Sequence, residues 1–154
     1  MDWQGWLRRW DRRNQEIFDG EVPDAIRTRW HWDRESDASG CERLVARQRL
    51  GGSVVLDADG IESRYLGTRM WSWDRIAYVT WQGGKPTGLA VCLYGDPYVH
   101  DLGFRHRDLR VCRAMLDDCR TFVEEHGARV RNKMDLTPSF WWANEPEAQR
   151  DFNR

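Results

Sequence analysis

The chain contains almost no lysine. Of its 24 basic residues, only Lys85 and Lys133 are lysine, and the rest are arginine. Acidic residues offset them, giving a formal net charge of −1, and no basic arm or acidic tail is present. Because no global field draws such a chain to nucleic acid or to an anionic membrane, we expect neither as a partner. Arginine is, however, well suited to contacts with proteins.

Long apolar runs and paired cysteines are also missing. No segment approaches the roughly 18 apolar residues of a membrane span, and the N-terminus has no signal-peptide core. We therefore expect a cytoplasmic protein. The cysteines Cys41, Cys92, Cys112 and Cys119 form no CxxC pair. A chain of 154 residues can bury its own core, so we expect no disulfide framework.

The motifs of common catalytic sites are absent. The sequence has no P-loop, no GxGxxG and no nucleophile elbow, and no histidine at ligand spacing from a cysteine. His31 and His100 each have an aspartate nearby in sequence, but neither adjoins a candidate nucleophile. We predict no catalytic residue, no cofactor and no metal site. The alternative is a small hydrolase or transferase whose site assembles from scattered His, Asp and Arg side chains.

Tryptophan, by contrast, is abundant, with ten in the chain. Its ring is enriched at protein interfaces, although many of these rings can also fill a core. Two clusters lie outside the predicted strands, and we predict that they contact a partner. These candidate partner-binding residues are Trp3, Trp6, Trp10, Phe140, Trp141 and Trp142. We expect the N-terminal cluster to dock on the domain and the C-terminal cluster to remain available for contact.

Hydrophobic periodicity predicts a helix on each side of a strand-rich centre. Residues 2–19 have the i, i+3, i+4, i+7 spacing of an amphipathic helix, for which docking, partner binding and membrane association are all open. Residues 106–126 repeat that spacing up to Gly127. The residues predicted to form the buried face of this second helix are Leu109, Cys112, Leu116, Cys119 and Val123. Residues 25–33 alternate apolar and charged side chains, which predicts a half-buried strand.

Short apolar segments bounded by Gly, Asp and Pro occupy the centre of the chain. They cover residues 43–50, 53–56, 61–66, 71–81, 88–94 and 98–104. Such spacing is typical of an antiparallel meander, so we predict an α+β fold with about seven strands in one bent sheet. The predicted organisation is one domain with an N-terminal helix (1–20), a sheet with its capping helix (25–127) and an aromatic tail (128–154).

Three short motifs mark this centre. They are Asp59-Gly60-Ile61, the stretch from Met70 to Ile76, and the strand from Gly88 to Tyr94 with its Gly95-Asp96 turn. Together with the helix from about residue 109, they resemble bacterial pleckstrin-homology-like domains over roughly residues 53–123. The resemblance implies a PH-like barrel of about seven strands capped by a C-terminal helix, here with an extra N-terminal amphipathic helix. It also implies a binding function, since such domains bind inositol lipids, peptides or copies of themselves.

The early hairpin loop bears on the choice of ligand. Residues 33–42 contain four acids and one arginine, whereas lipid-binding members of the class need clustered basic residues there. A phosphoinositide ligand is therefore disfavoured. We predict a non-enzymatic protein-interaction module that binds a protein partner or forms a homo-oligomer. The alternative among binding proteins is an immunity or anti-defence inhibitor.

Overall fold

The structure, a computed structural model, describes residues 2–48, 51–65, 67–83, 87–96 and 98–132. Within the first of these ranges, it describes only the backbone of residues 3, 4, 6–8, 10 and 11. All six residues predicted to bind a partner fall outside this description, either entirely or in their side chains. They are Trp3, Trp6, Trp10, Phe140, Trp141 and Trp142. Their role remains a prediction.

Three helices and nine strands form the described part of the chain. In chain order they are α1 (Trp3–Asp19), α2 (Asp24–Arg29), β1 (Asp33–Ser36), β2 (Glu42–Arg47), β3 (Ser53–Leu56), β4 (Gly60–Arg64), β5 (Thr68–Ser72), β6 (Ile76–Gln82), β7 (Thr87–Leu93), β8 (Val99–His106), α3 (Leu109–Glu125) and β9 (Arg129–Val130). A single 3-10 turn, Trp73–Arg75, separates β5 from β6.

The strands form two sheets. The first has the order β1-β2-β3-β4-β5, and each neighbouring pair is antiparallel. The second has the order β8-β7-β6-β9, with β9 parallel to β6. The α+β class and the antiparallel meander are confirmed, but the single bent sheet is replaced by two sheets. Strand pairing does not join the two sheets in the described residues, so they do not form a closed barrel there.

The apolar face of α3 is the centre of the main core, where side chains from both sheets meet it in one cluster. The five residues predicted to form this face are all buried, with exposed fractions of 7% or less. They are Leu109, Cys112, Leu116, Cys119 and Val123. Burial raises the pKa of the Cys112 thiol to about 11 and the pKa of the Cys119 thiol to about 12. Both thiols are therefore uncharged at neutral pH.

Strand β7 is buried along its whole length. Leu89, Val91 and Leu93 belong to the main core, while Cys92 belongs to a second cluster with Ala77 and Tyr78 of β6. Strands buried on both faces read as continuous apolar runs, which explains why the alternation of β7 is weak in the sequence.

Helix α1 docks on the body near its C-terminal end. The ring of Phe18 is fully buried and stacks on Trp81 of β6, with ring centroids 4.2 Å apart. The guanidinium of Arg113 on α3 lies 5.4 Å from the Phe18 ring centroid and donates a hydrogen bond of 2.8 Å to the Phe18 carbonyl oxygen. One apolar ring and one cation thus hold the last turn of α1 against α3.

The strand predicted at residues 25–33 is wrong, because Asp24–Arg29 is helix α2. Pro23 precedes it with φ −58°, already suited to a helix start, and the Trp30 amide closes the last turn on the Ile26 carbonyl at 2.8 Å. Ile26 and Trp30 are four residues apart, so they share one helix face as readily as they share one face of a strand. Asp24 in the first turn and arginines in the last turn also stabilise the helix, because their charges interact favourably with its dipole.

The strand predicted from residue 71 to 81 is interrupted by the 3-10 turn, which carries the chain from the first sheet to the second. The indole N–H of Trp73 in this turn donates to the Asp57 carbonyl oxygen at 2.7 Å. At the start of β4, Gly60 pairs with Ser72 of β5, and a side chain there would collide with the Trp71 carbonyl oxygen. The glycine of the Asp-Gly-Ile motif thus permits the close approach of the two strands.

Replacing Leu116 by alanine tests the central role of α3. Because Leu116 is fully buried in the main core, we expect Leu116→Ala to lower the free energy of unfolding by about 2–5 kcal/mol. Thr121→Ala, at an exposed position of the same helix, is the matched control and should change it by no more than about 0.5 kcal/mol. Urea denaturation measures both, and equal midpoints for the two variants would show that Leu116 is not a core residue.

Candidate functional site

A cleft of about 720 Å³ opens between α2, the end of β2, the end of β8 and the start of α3. We call it the Trp30 cleft. Its lining residues are Ile26, Arg29, Trp30, Arg47, Gln48, Phe104, Arg105, His106, Arg107, Asp108 and Val111. Its volume lies within the range of small-ligand sites, roughly 300–1,000 Å³. Four arginines and one aspartate line it, so basic residues predominate in its lining although the whole chain is nearly neutral.

Aromatic rings form one wall of the Trp30 cleft. Trp30 ends α2 and packs edge-on against two residues of β8. Its ring centroid lies 6.3 Å from Phe104 at an interplanar angle of 82° and 4.7 Å from His106 at 65°. Edge-to-face packing of this kind stabilises aromatic pairs by about 0.5–1.5 kcal/mol beyond the area they bury. The helix end and the strand end are thereby fixed to each other.

Two of the four arginines already have acidic partners. Arg47 contacts Glu35 at 2.7 Å and Asp33 at 3.6 Å. Arg105 forms an ion pair with Asp101 four residues earlier in β8. These pairs hold the two guanidinium groups along the rim and reduce their attraction for a ligand.

The other two arginines of the cleft have no carboxylate partner among the described residues. Arg29 lies with its guanidinium carbon 5.7 Å from the Trp30 ring centroid, in a cation–π arrangement. Arg107 is exposed between β8 and α3 and makes no ion pair with a described side chain. Two charged groups without a counter-ion beside an aromatic wall are suited to binding an anion.

The single aspartate of the cleft is committed to the protein itself. Asp108 is the N-cap of α3, and its carboxylate accepts hydrogen bonds of 3.0 Å from the backbone N–H and from the guanidinium of Arg110. These contacts with Arg110 hold the pKa of Asp108 below its usual range. Its charge is therefore largely balanced and does not cancel the charges of Arg29 and Arg107.

His106 is held in its neutral form. Burial lowers its pKa below the usual range, because desolvation disfavours the imidazolium. Its Nδ1 atom accepts a hydrogen bond of 3.0 Å from the Asp108 backbone N–H, which is possible only while Nδ1 is unprotonated. The neutral ring is thus part of the aromatic wall at pH 7, and the cationic character of the cleft comes from arginine.

This arrangement predicts a pH dependence of stability. Because the folded state lowers the pKa of His106, its contribution is fully present above the unfolded value of about 6.5 and is lost as pH falls from there toward the folded value. We expect the melting temperature of the wild type to fall relative to that of His106→Gln between about pH 7 and pH 5. Thermal melts of both proteins across this range measure it, and parallel pH profiles would contradict it.

Four arginines and a histidine lie close together in the sequence between residues 105 and 113, and only some of them line this cleft. Arg105, Arg107 and His106 line it. Arg110 instead pairs with Asp108, and Arg113 pairs with Asp117 four residues later. Sequence reasoning missed the contributions from α2 and β2, because it assigned residues 25–33 to a strand. The signal that was available is the i, i+4 pair of Ile26 and Trp30 followed by a second tryptophan at Trp32.

The candidate histidines of the sequence lie elsewhere. His31 is exposed in the segment between α2 and β1 and is not on a strand. His100 of β8 contacts Asp96 rather than Asp101, with Nε2 and Oδ2 2.8 Å apart. Neither histidine lines the Trp30 cleft. Within the described ranges, no group of three or more His, Cys, Asp or Glu side chains could hold a metal ion, and no helix is long and apolar enough to cross a membrane.

Comparisons with protein-family models, with curated proteins and with solved structures find no match to this chain.

Proposed function

We propose that this chain is a non-enzymatic protein-interaction module whose Trp30 cleft binds an acidic segment of a partner protein. The observation that carries the proposal is the pair of arginines, Arg29 and Arg107, that lack a carboxylate partner among the described residues and lie beside the wall of Trp30, Phe104 and His106. Arginine and tryptophan are the residues most enriched in interface hot spots. Arginine also binds carboxylates through two parallel hydrogen bonds, which fixes the orientation of the bound segment.

The shape of the cleft favours binding of a protruding segment of a partner protein over binding of a flat protein surface. It is concave, and its walls come from four different elements that are held together by packing and hydrogen bonds. Gln48 at the end of β2 donates to the Arg105 carbonyl oxygen at 3.2 Å, which ties β2 to β8. A cleft whose walls are already held together loses less of its interaction energy to ordering on binding.

We also propose that the fold is of the pleckstrin-homology-like class. Five strands in one antiparallel sheet, three consecutive strands in a second and then a helix on the shared core follow the order which that resemblance implies. The proposal includes a barrel formed by these strands and α1 as an extra N-terminal helix. In this proposal, the aromatic tail (128–154) and the tryptophans of α1 are further candidates for contact with a partner protein or with a second copy of the chain.

A defined acidic probe tests the binding proposal. We expect a short polyglutamate peptide to bind the full chain and to bind at least about tenfold more weakly to the double variant Arg29→Ala/Arg107→Ala, since each charge-assisted hydrogen bond contributes about 1.5–3 kcal/mol. The matched control is Arg12→Ala/Arg13→Ala, which removes two exposed arginines from α1 and should leave the affinity within about twofold. Isothermal titration calorimetry measures all three proteins.

Two outcomes would contradict the proposal. One is equal affinity for the peptide in the wild type and in the Arg29/Arg107 variant. The other is tighter binding of a single-stranded oligonucleotide than of the peptide, with the steep salt dependence of phosphate contacts, which would instead indicate nucleic-acid binding.

A further inference from the structure

A second cleft lies at the opposite end of α3 from the Trp30 cleft. It has a volume of about 390 Å³ and is lined by Trp73, Asp74, Tyr94, His126 and Gly127. We call it the Trp73 cleft. It brings together the 3-10 turn between the sheets, the turn after β7 and the residues that end α3. Since α3 has 17 residues, the two clefts are separated by a helix of about 25 Å.

The rings of the Trp73 cleft are fixed in a stacked arrangement. His126 stacks on Trp73 with centroids 5.3 Å apart and an interplanar angle of 29°. It also stacks on Phe122, at 4.4 Å and 24°. The Nδ1 atom of His126 lies 2.8 Å from the Phe122 carbonyl oxygen, so in the neutral ring this nitrogen carries the proton. The Trp73 indole is itself held by its hydrogen bond to Asp57.

Acidic side chains lie beside the Trp73 cleft. Asp74 is exposed and makes no hydrogen bond or ion pair with a described residue. The last turn of α3 contains Glu124 and Glu125 and no basic residue. The carbonyl end of the helix dipole adds to these charges, and a cation placed there is stabilised. Arg75 follows Asp74 in the chain, but it does not line the cleft.

We propose that the Trp73 cleft binds a lysine or arginine side chain presented by a partner protein. Aromatic faces attract a cation through their quadrupoles, and a neighbouring carboxylate supplies the counter-charge. Asp74 lacks a cation among the described residues and stands beside this aromatic group, so it is the natural counter-ion for such a side chain. The identity of the ligand as part of a protein rests on the proposed interaction function, but the cation preference of the cleft does not depend on the Trp30 cleft.

Single side-chain probes test this inference. We expect N-acetyl-lysine amide and N-acetyl-arginine amide to shift the indole N–H resonance of Trp73, which a Trp73→Phe spectrum assigns. The neutral analogue N-acetyl-norleucine amide should produce no saturable shift. Asp74→Asn should weaken binding of both cations roughly fivefold or more. Asp74→Arg should abolish it, because it places a cation where the ligand would lie.

The controls separate this cleft from the Trp30 cleft. Glu16→Gln removes an exposed acid from α1 and should leave the titration unchanged, and so should Arg29→Ala/Arg107→Ala. Unchanged binding in Asp74→Asn, or equal shifts with the neutral analogue, would overturn the proposal. The absence of any shift at about 50 mM probe, well above the millimolar affinity expected of one side chain, would also overturn it. None of these results bears on the polyglutamate titration.

Discussion

The burial of one helix face holds this molecule together. Apolar side chains of the first sheet, such as Leu56 and Ile61, and of the second sheet, such as Leu89 and Val91, belong to one buried cluster with the apolar face of α3. No strand pairing connects the sheets in the described residues, so their relative position depends on this shared cluster and on side-chain hydrogen bonds, such as those from Ser63 to the Leu102 carbonyl oxygen and from Gln48 to the Arg105 carbonyl oxygen. Loosening α3 would therefore weaken the packing of both sheets, and it would open both clefts, since each cleft takes residues from one end of the helix.

Trp32 anchors the start of the first sheet to the same helix. Its indole N–H donates to the Met115 carbonyl oxygen at 2.8 Å, and its backbone N–H donates to the Asp118 carboxylate at 2.8 Å. Arg34 adds an ion pair to Asp118 at 3.3 Å. A large ring with its polar atom satisfied can be fully buried at little cost, and this one fixes where α2 ends and hence where Trp30 stands in its cleft.

The sequence predicts the elements of this fold better than it predicts the sites. The stripe of α3 and most strands are visible because each follows from periodicity within one segment. Helix α2 is not visible in the sequence, since Ile26 and Trp30 fit the period of two of a strand as well as the spacing of four of a helix. The clefts are harder still. Trp30, Arg47 and Arg107 come from distant parts of the chain, and so do Asp74 and His126, so no local pattern brings them together. The prediction for the tryptophans of α1 and the tail rests on local clustering, which indicates an abundance of rings but not their surroundings.

The short parallel strand β9 has a consequence for solubility. It pairs with β6 at Tyr78 and Val79, and the residues that follow extend the contact, with Arg131 bonded to the Val79 carbonyl oxygen at 2.9 Å and Thr80 bonded to the Arg131 carbonyl oxygen at 2.8 Å. An uncovered edge strand offers a row of backbone groups on which other chains can add. β6 is rich in β-branched and aromatic residues, the composition that makes such addition self-propagating. The two residues of β9 thus cover part of the edge of β6 and protect it from aggregation. A chain truncated before Arg129 would leave that edge uncovered.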